Sequence, residues 1–92
     1  MQPEELHIAS LVVHSTPRRL GTVAGAIAAL PGALVHASSA SGKLVVTLEV
    51  PSSAEMTQRV SDIQRIDGVL SAALVYQFAD SLEAMNEEIP DA

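Results

Sequence analysis

Three histidines (His7, His14, His36) and an adjacent arginine pair (Arg18-Arg19) are the residues whose chemistry first suggests a function. A histidine works as a metal ligand or general base only where partners converge on it. His7 and His14 lie seven residues apart in one predicted strand, so they point to opposite faces and cannot share a small ion. His36 stands alone. The chain has no cysteine, no His-Glu-x-x-His motif and no cluster of aspartates to complete a site. Glu49, Asp62 and Asp67 fall on separate predicted elements, and no glycine-rich loop is placed to cradle a phosphate. The sequence therefore predicts no enzyme, no metal and no cofactor.

The arginine pair raises a different question, because "PRRLGTVAGAIAALPGALVHASSA" (17–40) has the outline of an export signal. Its large side chains, however, are ordered. Leu20, Val23, Ile27 and Leu30 recur at helical spacing, with Thr16-Pro17 as a helix start and Pro31-Gly32 as a stop. The stretch is also echoed. Shifted by 36 residues, Leu20 falls on Met56, Ala24 on Val60, Ile27 on Ile63, Leu30 on Ile66, Gly32 on Gly68 and Leu34 on Leu70. Two similar halves of one fold explain such an echo, whereas an export signal does not. Cleavage near Ala40 would also cut a predicted hairpin. The stretch reads as a buried helix.

A chain of 92 residues suits one domain. Its hydrophobic content of 48%, with one Phe, one Tyr and no Trp, makes the core aliphatic. A net charge of −6 argues against nucleic acid and anionic membranes, which are bound through Lys and Arg, and suits a basic partner or simple solubility. Pro31 and Gly32 interrupt the only apolar run approaching the ~20 residues of a membrane span.

The elements that must position any site follow from periodicity. "LHIASLVVH" (6–14) reads as a strand, the 17–30 segment as a helix, "ALVHAS" (33–38) as a weaker strand and "SASGK" (39–43) as a turn. "LVVTLEV" (44–50) is an alternating strand. Ser52 with Glu55 forms a capping box for a helix over about 53–66, whose Arg59, Asp62 and Arg65 face outward. "VLSAALVYQF" (69–78) is the last strand. The order βαββαβ, with right-handed crossovers, predicts an α+β, ferredoxin-like split βαβ fold: a four-stranded antiparallel sheet with both helices on one face. Residues 1–79 make the domain, and 80–92 an acidic, flexible tail in which Leu82, Met85 and Ile89 form at most a weak stripe.

Such a sheet leaves one face bare, and function is expected there. Alternation puts Leu44, Val46, Leu48 and Val50 under the helices and Val45, Thr47 and Glu49 on the open side. In the last strand, Leu70, Ala72, Leu74 and Tyr76 are expected inward, and Val69, Ser71, Ala73, Val75 and Gln77 outward. The first strand is apolar on both faces. The repeat favours Ile8, Ser10 and Val12 inside, whereas side-chain volume favours Leu11 and Val13 inside, and volume is preferred. The candidate peptide-binding residues are therefore Ser10, Val12, Val45, Thr47, Glu49, Ser71, Ala73 and Val75, a surface for docking or self-association.

In their order and spacing, "SLVV" (10–13), "LPG" (30–32), "SGKLVV" (41–46) and above all "IDGVLSAALVYQ" (66–77) resemble the NapD family over residues 6–78. The resemblance implies a cytoplasmic chaperone for maturation of the periplasmic nitrate reductase. Such a chaperone binds the twin-arginine signal peptide of the catalytic subunit (NapA) and delays Tat export until the molybdenum cofactor is inserted. The export signal then belongs to the partner, and Arg18-Arg19 is incidental. It implies no catalytic residue, no nucleic acid, no stable membrane association and a monomer or weak dimer. The alternative is an ACT-like small-molecule-binding regulatory domain, although the strand–helix junction "HSTPRRLG" lacks an early glycine. A metallochaperone on this fold would need a Cys-x-x-Cys, and a dimeric αβ-barrel would be an obligate dimer.

Overall fold

The computed structural model describes residues 5–81, with side chains through Phe78. In chain order it contains β1 (Glu5–Ser15), a 3₁₀ turn (Pro17–Arg19), α1 (Leu20–Ala28), β2 (Ala33–Ser38), β3 (Lys43–Val50), α2 (Ser53–Arg65) and β4 (Val69–Ser81). The strands form one antiparallel sheet in the order β2-β3-β1-β4. Each βαβ crossover thus spans one inserted strand, as the ferredoxin-like arrangement requires.

The core lies between the helices and one face of the central strands. Ala9, Leu11 and Val13 of β1 and Leu44, Val46, Leu48 and Val50 of β3 are buried against Val23 and Ile27 of α1 and Met56 and Ile63 of α2. Burying each large aliphatic side chain contributes about 1.5–3 kcal/mol. In β1, side-chain volume rather than the repeat sets the phase.

The two helices start differently. Thr16 has the extended backbone of an N-cap, but its side chain makes no capping bond, and Pro17 opens a 3₁₀ turn before α1 begins at Leu20. The expected cap at Thr16 is therefore backbone only. In α2, Ser52 Oγ accepts from the Glu55 amide at 3.1 Å and donates to Glu55 Oε2 at 3.3 Å. Arg59 was expected to face outward. Instead its Nε donates to the Pro31 carbonyl at 3.0 Å, tying α2 to the turn after α1. The guanidinium thus satisfies a carbonyl left over at a helix end.

Both helices are followed by a glycine of positive φ, Gly32 (83°) and Gly68 (103°), where a side chain would be strained. The Gly32 carbonyl accepts from the Glu49 amide at 2.9 Å, and the Gly68 carbonyl from the Thr16 amide at 3.0 Å. Each helix exit is thereby tied to the end of a central strand.

β4 departs from simple alternation at two places. Its register against β1 shifts between Ser10 and Leu11 and again between His14 and Ser15, leaving Val75 and Leu70 without partners on β1. A one-residue bulge reverses the parity of everything beyond it. Val69 therefore pairs with the buried Ser15 and packs on the core, while Leu70 is exposed, the reverse of the expected placement. Tyr76 pairs with Ser10 and turns to the open face, and Gln77 pairs with Ala9 on the helix side, again the reverse. β4 also runs through Asp80 to Ser81, past the expected domain boundary at 79. The rest of the acidic tail, with Leu82, Met85 and Ile89, lies outside the described residues.

Candidate binding face

Pairing across the strands builds the open face in rows. His14, Lys43 and Ser71 stand at one end, followed by Val12, Val45 and Ala73, then Ser10, Thr47 and Tyr76, and finally Ile8, Glu49 and Phe78. β2 adds Leu34 beside Thr47 and Ala37 beside Val45. Large apolar side chains in and beside the middle rows are open to solvent: Val45 is 42% exposed, Leu34 57%, Val75 62% and Tyr76 56%. Side chains this large are this exposed because both described helices lie on the other side of the sheet.

All eight expected site residues reach this face. Val12, Val45 and Ala73 form one row, and Ser10 and Thr47 are direct partners. Glu49 pairs with Ile8, and Ser71 with His14 at the far end. Val75 sits at the bulge. Alternation from Ala73 and the pairing of Tyr76 put these two consecutive side chains on the same side. Sequence reasoning missed Tyr76, Leu34 and His36. A register shift in β2 leaves His36 without a partner residue on β3, and its Nε2 shares a 2.6 Å hydrogen bond with Thr47 Oγ1. No periodic signal marks such a bulge.

Chemistry does not converge here. His7 is buried on the helix side with Nε2 3.0 Å from Glu5 Oε1, while His14 is half-buried on the open face. The two point apart, as their spacing predicts. Asp67 is bonded to Arg19 at 2.6 Å, and Asp62 accepts from Gln58 on its own helix. Among the described residues, no three metal-ligating side chains come together. A depression of about 280 Å³ between α2 and β4 is lined by Met56, Thr57, Val60, Ser61, Gln64, Leu74 and Gln77, none of them titratable. Leu74, on the helix side of β4, is half exposed within it. A smaller one on the open side is bounded by Ala37, Ser38, Ser39, Lys43 and Val45.

The face is charged only at its ends. Glu49 is exposed, and neither it nor Lys43 forms an ion pair among the described residues. Among the described residues, a face that combines apolar and hydrogen-bonding side chains is suited to holding another chain. Among the described residues, no helix is long and apolar enough to cross a membrane.

The fold and the face together define a small ferredoxin-like binding protein. The family model described as NapD protein matches residues 6–81, and the chain belongs to the NapD family. Chaperone NapD of Shigella flexneri is 33% identical over 84 residues, an alignment taking in 90% of this chain and 93% of that one. Chaperone NapD of Paracoccus pantotrophus is 39% identical over 84 residues, covering 88% and 74% respectively. The solution structure of the E. coli Tat proofreading chaperone protein NapD matches with a TM-score of 0.74 and 32% identity, over 95% of this chain and 90% of that one. A transcriptional regulatory protein of the AsnC family from Pyrococcus furiosus has a TM-score of 0.55 and 19% identity, over 85% of this chain and 51% of its own, and shares the fold alone. The relatives are named as chaperones, so this chain is a chaperone-family protein with a protein partner, and not an enzyme.

Proposed function

We propose that this chain acts in the cytoplasm as a chaperone for maturation of the periplasmic nitrate reductase. In this reading it binds the twin-arginine signal peptide of the catalytic-subunit precursor on its open sheet face and delays export until the cofactor is in place. Family membership supports the reading, as does the description of the E. coli relative as a Tat proofreading chaperone. The observation that supports the open face as the site is the exposed apolar band of Val45, Leu34, Val75 and Tyr76 beside Glu49, which forms no ion pair among the described residues.

The physical division of labour follows from magnitudes. A leader brings an apolar segment and two arginines. Apolar area removed from water contributes about 25 cal/mol per Å², so the aliphatic band supplies most of the affinity. An exposed Arg–Glu49 pair adds about 0–1 kcal/mol and, with the acidic net charge, speeds encounter and makes it salt-sensitive. Masking the leader withholds it from the translocon for as long as the complex lasts.

Calorimetry with a synthetic twin-arginine leader tests this. Val45→Asp or Val75→Asp is expected to weaken binding more than about tenfold, because an unpaired carboxylate is left against apolar surface. Glu49→Lys is expected to weaken it about fivefold or less. Full affinity in both valine variants would remove the open face from the reading.

A further inference from the structure

The charges on the open face are separated along the strands, and this gives the face a direction. Glu49 and Lys43 lie on the same face of β3, six residues apart. At about 3.3 Å per residue this is a separation of roughly 20 Å. That is about two Debye lengths at 0.1 M salt, so the two ends act as separate local fields and do not cancel. The Glu49 end is also where both chain ends join the sheet, since Glu5 pairs with Ser81 there and His7 pairs with Val50. The eleven residues after Ser81 contain Glu83, Glu87, Glu88 and Asp91 and no Lys or Arg, and Glu4 precedes β1. Lys43 is the only Lys in the chain, and it stands at the opposite end beside His14.

From this we infer that the face favours one direction of its leader. The arginine-bearing N-terminal part lies at the Glu49 end, and the apolar part runs over Val12 and Val45 toward Lys43, in the same sense as β1. The inference rests on the reading of the open face as the leader site, and it deepens that reading by fixing polarity. The apolar band between the ends is blind to direction, because Val12, Val45 and Ala73 offer the same contacts to a segment running either way. Direction is therefore decided at the ends. In the reverse orientation two guanidinium groups would stand beside Lys43 and lose Glu49, adding a repulsion and removing an attraction. The polarity is the same whether the leader is helical or extended, since it depends on which end carries the charge.

Paramagnetic broadening tests the direction. A synthetic leader with two arginines and an apolar segment carries a nitroxide on a cysteine at either its N- or C-terminus. The full chain has no cysteine, so the label stays on the peptide. The N-terminal label is expected to broaden the amides of Ile8 and Glu49 more than those of His14 and Lys43, and the C-terminal label to do the converse. In the charge-swapped variant Lys43→Glu/Glu49→Lys, which keeps the net charge, the pattern is expected to reverse. The opposite pattern in the unmodified chain, equal broadening at both ends, or an unchanged pattern in the swapped variant would each overturn the inference and leave the docking face standing. No broadening anywhere on the face at saturating peptide would overturn the docking reading, and the inference with it.

Discussion

The first βαβ unit, β1–α1–β2, and the second, β3–α2–β4, align on a 36-residue shift that places Thr16 on Ser52, Ile27 on Ile63 and Gly32 on Gly68. Their helices are nevertheless stabilised in different ways. α1 is nine residues long, contains two glycines and no charged residue, and enters through a 3₁₀ turn without a side-chain cap. α2 is thirteen residues long, with a bonded Ser52 cap, Glu55 in its first turn and Arg65 in its last. Local signals specify α2, whereas α1 owes its helicity to the burial of Val23 and Ile27. The edges differ too, with six residues in β2 and thirteen in β4. The same topology thus yields a half shaped by packing and a half that also specifies itself.

Truncating the equivalent core residues is the largest test of that contrast. Ile27→Ala and Ile63→Ala each remove a side chain that is fully buried, and each is expected to destabilise the chain by about 2–5 kcal/mol in urea unfolding. Hydrogen exchange should then separate the halves. Protection across residues 20–28 should fall selectively in Ile27→Ala, because α1 has no side-chain cap to hold its first turn once burial is lost. In Ile63→Ala the capped first turn of α2 should keep its relative protection. Equal local losses in both helices would break the comparison.

The helix-exit glycines come next. A Cβ at Gly32 would run into the backbone carbonyl of Glu49, which cannot yield without moving β3. A Cβ at Gly68 would meet Arg19 Cβ and Cδ at 2.9 Å and Val23 Cγ2 at 3.1 Å; only Cδ can rotate away, but none of these lies as close as that carbonyl and none is a backbone atom. Both sites carry a left-handed backbone, worth about 1–3 kcal/mol of strain for a non-glycine residue. Gly32→Ala is therefore expected to lose more stability than Gly68→Ala by differential scanning calorimetry. It should also weaken leader binding, because Glu49 is displaced with its strand. Equal losses would mean that β3 adjusts as freely as the Arg19 and Val23 side chains that crowd Gly68.

How far these halves could be read beforehand follows the same physics. The element order, the 36-residue echo and both faces of β3 were legible, because strict alternation in Leu44-Val45-Val46-Thr47-Leu48-Glu49-Val50 leaves one phase only. β1 was legible through volume, since Leu11 and Val13 fill a core better than Ser10 and Val12. β4 was legible only between its bulges. At Leu70 and Val75 an extra residue reverses parity, and apolar or small side chains on both faces give no cue to where that happens. Tyr76 was thus assigned to the core although it stands on the open face. His36 escaped for the same reason, and Arg59 because a charged residue on an exposed helix stripe gives no sign of the carbonyl it will meet.

The smallest effect is also the sharpest, because it isolates the caps. Ser52→Ala removes the hydroxyl that accepts from the Glu55 amide and frees the Glu55 carboxylate it holds. Losing such a cap costs about 0.5–2 kcal/mol, so the urea midpoint should fall at unchanged slope. Thr16→Ala deletes a hydroxyl that caps nothing and is buried without a protein partner. Its removal relieves an unsatisfied polar group while sacrificing a methyl, and these oppose one another. The net change is expected within about 0.5 kcal/mol of zero. A Thr16→Ala loss as large as that of Ser52→Ala would show that the first helix is capped as firmly as the second, and that burial alone does not hold it.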